Sequence, residues 1–139
     1  MRFLLDTDAV SEPARRHPSR RFMARLAKYA GELAVSSISV GEIVFGARRA
    51  PGGQRYLHYL TETVLPHVAV LPIDVAVATR YGELRAVLER GGTPLADLDL
   101  LIAATALAHD LALVTGNRRH FERIGGLDLA DWFADRAAR

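Results

Sequence analysis

Asp6, Glu42 and Asp99 each punctuate a hydrophobic segment of the chain. Asp6 ends the apolar run Phe3-Leu4-Leu5. Glu42 lies in the first turn of a helix expected over Val40 to Arg49. Asp99 heads the almost wholly apolar stretch Leu100-Leu101-Ile102-Ala103-Ala104. An ionised carboxylate that loses its hydration beside a core is costly unless its charge is compensated. A shared divalent cation is one compensation, and acids clustered around a cation make a site suited to cleaving phosphodiesters.

Each acid also has a purely structural explanation. Asp6 suits a turn or a helix cap after a strand. Ser39 with Glu42 three residues on reads as a capping box, and Ile38 with Ile43 as its hydrophobic staple, so a helix start alone accounts for Glu42. Asp97 and Asp99 point about 200° apart on a helix, so only one of them can face a given site. Asp97 is the better cap for a helix beginning at Leu98. Asp99 then falls in the first turn, where the helix dipole favours an acid. That helix is apolar nearly all round, which leaves Asp99 little access to a fully solvated face.

These residues must be positioned by the elements around them. Met1 to Leu5 reads as a short buried strand ended by Asp6-Thr7-Asp8. A weak helix from Ala9 to Arg15 precedes the break at Pro18, and a stronger one spans Ser19 to Tyr29. Leu33 to Ser36 is a second strand, followed by the helix to Arg49 and the Pro51-Gly52-Gly53 turn. Gln54 to Val64 is helical, Val68 to Leu71 a third strand, and Asp74 caps a long helix to Arg90. After the loop Gly91 to Pro94, Leu98 to His109 forms a buried helix. Ala112 to Thr115 is a fourth strand, and a short strand near Leu127 to Leu129 precedes Trp132, a packing anchor. Continuous apolar strands alternating with helices specify a parallel sheet covered on both faces. Ligands bind such sheets beyond the carboxyl ends of the strands, where Asp6 and Thr115-Gly116-Asn117 fall.

Composition narrows the field further. At 139 residues, half of them hydrophobic, the chain can build one compact domain with a real core. The absence of cysteine excludes disulfides, thiolate zinc sites and cysteine nucleophiles, and is compatible with a reducing cytoplasm. No signal pattern opens the sequence, and no apolar stretch approaches the roughly 18–20 residues of a spanning helix, so a cytoplasmic protein without membrane association is expected. The net charge is only +2, yet Lys28 is the sole lysine among the 18 basic residues. Arginine forks fit phosphates well, although such a bias also follows from genome composition. The five histidines lack zinc-ligand spacing, and neither a nucleophile elbow nor a Gly-rich phosphate loop is present.

The strings Phe3-Leu4-Leu5-Asp6-Thr7-Asp8 with Val10-Ser11-Glu12, Ser37-Ile38-Ser39-Val40-Gly41-Glu42-Ile43, and Asp99 through Ala106 follow one another in a fixed order. Leu113-Val114-Thr115-Gly116-Asn117 and Phe121-Glu122 continue it. Together, and nearly end to end, they resemble the PIN-domain ribonucleases, specifically the VapC-type toxins of bacterial and archaeal toxin–antitoxin pairs. The resemblance implies a single PIN domain over residues 1–139, an α/β fold with a parallel sheet of four to five strands and helices on both faces. It implies that Asp6, Glu42 and Asp99 are the acidic active-site residues, and it selects Asp99 over Asp97. Asp6 and Asp99 would hold Mg²⁺ or Mn²⁺, Glu42 would complete the cluster directly or through water, and a metal-activated water would hydrolyse RNA. Thr7, Thr115 and Asn117 are secondary candidates. A cognate antitoxin and a homodimer are the implied protein partners, and tRNA or rRNA the implied substrate class.

The chain departs from the family's usual pattern twice. Asp8 stands where the family usually has Asn, and His120 stands where it commonly has a fourth acid, leaving Asn117 or Glu122 as alternative contributors. Two other readings compete. Leu4 to Val10 also resembles the Asp-x-Asp opening of haloacid-dehalogenase-type phosphotransferases, with Asp6 as nucleophile and Ala34-Val35-Ser36 as the second motif. That family's third motif needs a downstream lysine, but Lys28 precedes the second motif, and no acidic pair follows a late strand. A catalytically inactive PIN-like RNA- or protein-binding module would be marked by loss of the acids, and all three are present.

Overall fold

The computed structural model describes residues 1–133. Its centre is a parallel sheet of β1 (Phe3–Leu5), β2 (Leu33–Ser36), β3 (Ala69–Leu71), β4 (Ala112–Val114) and β5 (Leu129–Ala130), in the order β3-β2-β1-β4-β5. Every pairing is parallel, with Leu4 of β1 in register with Ala34 on one side and Leu113 on the other. The strands are short and apolar because both faces are covered. Side chains alternate across a strand, so Phe3, Leu5, Leu33, Val35 and Val114 enter one core while Leu4, Ala34 and Leu113 enter the other.

Helices α1 (Thr7–Ser11), α2 (Arg20–Lys28) and α4 (Gly53–Tyr59), with Ile43 of α3 (Ser37–Arg49), close over the first face. Trp132 seals it, edge-on to Phe3 at 4.9 Å and stacked on Tyr29 at 5.6 Å between ring centroids, as expected of an anchor. The second face is covered by α5 (Val75–Arg90), α6 (Asp97–Ala108) and Phe121 of α7 (Arg118–Phe121). β1 is the point where strand order reverses, with β2 on one side and β4 on the other. A crevice therefore opens at the carboxyl ends of β1 and β4.

Several local expectations are corrected. β2 runs straight into α3, so the cap falls on the last strand residue: Ser36 Oγ accepts from Ile38 N at 3.2 Å. The box of Ser39 with Glu42 and its Ile38–Ile43 staple therefore do not form. Ser39 is buried inside the helix, and Glu42 sits a turn beyond the start. α6 begins at Asp97 itself, after Ala96, and Asp97 caps nothing. Its carboxylate instead accepts from the Tyr81 hydroxyl at 2.9 Å and lies 3.5 Å from Arg85. The helix expected over Ala9 to Arg15 starts earlier, at Thr7, because Asp6 caps it. It then gives way to a 3₁₀ turn at Glu12–Ala14, where Pro13 occupies an opening position. The segment read as one helix from Gln54 to Val64 is α4 followed by a π turn at Leu60–Val64. β2 has the expected bounds, and the ends of the other strands differ from expectation by at most two residues.

Candidate active site

The crevice holds a cleft of about 170 Å³ lined by Asp6, Thr7, Asp8, Glu42, Asp99, Ile102, Asn117 and Phe121. Residues distant in sequence thus meet: the end of β1, the second turn of α3, the first turn of α6 and the loop after β4. Asp97, on the other side of α6, is not among them.

Asp6 is the most constrained of the acids. The chain leaves β1 extended, so its carboxylate turns back over the start of α1 and Oδ1 accepts from Ala9 N at 2.8 Å. Only 7% of the residue is exposed, and burial pushes its carboxyl up from 3.8 to about 6. Hydrogen bonds from Thr115 and Ala9 oppose that rise, while the charges of Asp8 and Asp99 add to it. Thr115 is itself fully buried, and its Oγ1 also accepts from Asn117 N at 2.9 Å. This hydroxyl pins the β4 loop to the acid at the end of β1.

Glu42 is held by Thr7. Thr7 Oγ1 lies 2.7 Å from Glu42 Oε1 and 2.9 Å from Ser39 Oγ. Thr7 has one hydroxyl proton and an ionised carboxylate only accepts, so Thr7 donates to Glu42 and Ser39 donates to Thr7. Ser39 thus serves Glu42 indirectly, through α1. Its spacing of three residues placed both side chains on one helix face, but only the fold supplied the threonine between them. Asp99, half-exposed, has its Oδ2 at 2.9 Å from His120 Nε2 on α7. The cleft also contains Asp8, whose carboxylate sequence reasoning noted as a departure without assigning it to the site; its place two residues after a site acid was the available signal.

The donor set fits a hard divalent cation. Asp6, Asp8, Glu42 and Asp99 bring carboxylates to one small cleft, Asn117 brings an amide, and among the described residues no basic side chain lines it. The Asp6 carboxyl is raised mainly by its burial, with the charges of Asp8 and Asp99 adding smaller contributions. Among the described residues, no three His, Asp or Glu side chains gather closely enough to ligate one ion together. Such a site would meet Mg²⁺ through one or two carboxylates with water completing the shell, which is how Mg²⁺ is commonly bound. A larger cavity of about 510 Å³ lies beside α2; its lining is mostly apolar, with Tyr59, Thr63 and His67 as its polar side chains, and among the described residues no carboxylate faces it.

A parallel α/β sheet with an acidic cleft at its switch point is the architecture of the chain. Residues 3–127 match the PIN domain model, and the chain belongs to the PIN-domain family, among the VapC-type ribonucleases. Over 132 residues it is 34% identical to the tRNA(fMet)-specific endonuclease VapC of Shigella flexneri, spanning 95% of this chain and 98% of that protein. The toxin FitB of Neisseria gonorrhoeae is 36% identical over 124 residues, covering 85% of this chain and 89% of its own. The structure of VapBC2 from Rickettsia felis, bound to a DNA fragment from its promoter, matches with a TM-score of 0.85 at 29% identity. The match covers 95% of this chain and 99% of that one.

Proposed function

We propose that the chain is a Mg²⁺- or Mn²⁺-dependent endoribonuclease and the toxin of a toxin–antitoxin pair, with Asp6, Glu42 and Asp99 as its catalytic acids. The observation that carries this reading is their convergence in one cleft, each carboxylate held by its own donor. When bound there, a divalent cation supplies a Lewis acid that acidifies water and offsets charge on the scissile phosphate. Asp6 and Asp99 would hold it. Glu42, oriented by Thr7, would complete the cluster directly or through water. Thr115 fixes Asp6, and Asn117 stands at the rim. Arg118 and Arg119 open α7 next along the chain and would offer guanidinium groups to phosphates of an approaching RNA, Arg118 being 3.5 Å from Glu122 in the free protein.

The similarity to ribonucleases supports an RNA substrate, and the Shigella relative makes tRNA(fMet) the first to test. Neighbours solved as VapBC and FitAB complexes support an antitoxin as the protein partner. A homodimer working in the cytoplasm as a single PIN domain completes the proposal, and among the described residues no helix is long and apolar enough to cross a membrane. The decisive experiment incubates the purified protein with tRNA(fMet) and bulk RNA in Mg²⁺, in Mn²⁺ and in EDTA. Cleavage that needs the cation and disappears in Asp99→Asn is expected, and full cleavage in EDTA would overturn the mechanism. Under the phosphotransferase alternative, Asp6 would become phosphorylated by a phosphate donor. The carboxylate's engagement as the α1 cap and the PIN membership both speak against that outcome.

A further inference from the structure

Asp6, Glu42 and Asp99 are each tied to a donor, but the donors differ in kind. Asp6 is held by a backbone N–H and a buried hydroxyl, and Glu42 by a hydroxyl. Asp99 alone is held by an imidazole. His120 reaches it from α7, which starts three residues beyond the buried Thr115. Its ring stands edge-on to Phe121, 5.4 Å between centroids at 86°, and Phe121 is itself buried and lines the cleft. The imidazole is therefore braced against a fixed wall. An ionised carboxylate can only accept, so the hydrogen bond requires a proton on Nε2.

Asp99 is the acid most in need of such a brace. Among the described residues it makes no cap interaction with backbone, unlike Asp6, and its side chain is 36% exposed. Among the described residues, His120 is its one side-chain hydrogen-bond partner, through Oδ2, which leaves Oδ1 open. A half-exposed carboxylate free to rotate presents its oxygens in many directions, and holding it in one lowers the cost of binding an ion. Donors behind a metal-binding carboxylate act in this way.

We propose that His120 is the positioning residue of Asp99: its Nε2–H holds Oδ2 and leaves Oδ1 as the oxygen that meets the divalent cation. This rests on the reading of the cleft as a cation site. It also gives position 120 a function that does not depend on carrying a negative charge. The carboxylates of the cleft would meet the cation, and the imidazole would stand behind one of them.

The test titrates Mn²⁺ alone into the intact protein, following binding by calorimetry and by the electron paramagnetic resonance of the ion, without RNA. His120→Ala should weaken Mn²⁺ binding by about 10- to 100-fold. His120→Gln places an amide N–H at a similar reach and should restore most of that loss. Melting temperatures of both variants, taken without metal, confirm that each is folded. In RNA cleavage, His120→Ala should need correspondingly more Mn²⁺ for half-maximal rate and recover much of the rate at saturation, a pattern that mere loss of structure does not give. Unchanged Mn²⁺ affinity in His120→Ala would overturn the proposal, as would equal losses in the Ala and Gln variants. A directly coordinated ¹⁴N signal from His120 would also overturn it, by making the imidazole a ligand. Asp99→Asn separates the two levels of inference. If it binds Mn²⁺ as the parent does, the cation site itself is wrong. If it loses binding while His120→Ala keeps it, only the role of His120 falls.

Discussion

Removing the charge of Asp6 should stabilise the metal-free protein, and the size of the effect follows from its burial. The folded chain holds this carboxyl at about 6, against 3.8 when it is free. The raised value means that the folded state binds the proton more tightly than the unfolded state. Well above pH 6 both states are ionised, and the folded state carries a penalty of ~3 kcal/mol. As the pH falls through 6 the folded carboxyl takes up its proton first and the penalty shrinks, to roughly half at pH 5, and it vanishes below the unfolded value. Asn cannot ionise, yet it serves as a helix cap about as well as Asp, so Asp6→Asn removes the penalty while keeping the Ala9 hydrogen bond. Urea denaturation in EDTA at pH 7.5 and pH 5 should therefore find the variant more stable by ~3 kcal/mol and about half that, respectively. Added Mg²⁺ should narrow the gap by stabilising only the parent. Equal stabilities at pH 7.5, or a gap that widens on acidification, would refute the electrostatic account of this cleft.

Glu42→Gln keeps an oxygen for the Thr7 hydroxyl but removes the charge, so RNA cleavage should be lost with little change in melting temperature; a normally active variant would take Glu42 out of the site. Because Ser36 and not Ser39 caps α3, Ser36→Ala should cost about 0.5–2 kcal/mol in urea melts. Ser39→Ala should act instead on cleavage, by loosening Thr7, and a larger cleavage defect from Ser36→Ala would contradict this division. Gly53 opens α4 so close to α3 that an added Cβ would stand 1.8 Å from the Ala47 carbonyl oxygen. Gly53→Ala should therefore destabilise the fold by about 1–3 kcal/mol, measurable by thermal denaturation.

Much of the scaffold was legible in the chain because it is written in local terms. The apolar triplet Phe3–Leu5, the run Leu33–Ser36 and the helix capped by Asp74 depend on side-chain period and on capping chemistry that act within a few residues. The same local rules misplaced the start of α3. Ser39 and Glu42 have the spacing of a capping box, but a strand that ends at Ser36 and turns at once into helix hands the cap to Ser36. Nothing in the spacing itself distinguishes the two.

By itself, then, the sequence determined the alternation of buried strands and helices, and hence the parallel sheet. It also showed Asp6 at the end of a strand and Asp99 in the first turn of a buried helix, whereas Glu42, expected in the first turn of α3, lies in the second. The choice of Asp99 over Asp97 came with the family resemblance, and the structure places only Asp99 in the cleft while tying Asp97 to Tyr81 and Arg85. What only the tertiary structure decided is who holds each acid: Thr115 for Asp6, Thr7 for Glu42, His120 for Asp99. Those pairings join residues on different elements, brought together by the strand order β3-β2-β1-β4-β5. A hydrogen bond is specific to a few tenths of an ångström, whereas hydrophobic burial tolerates many arrangements, so the pattern of burial can be read along the chain and the pattern of donors cannot.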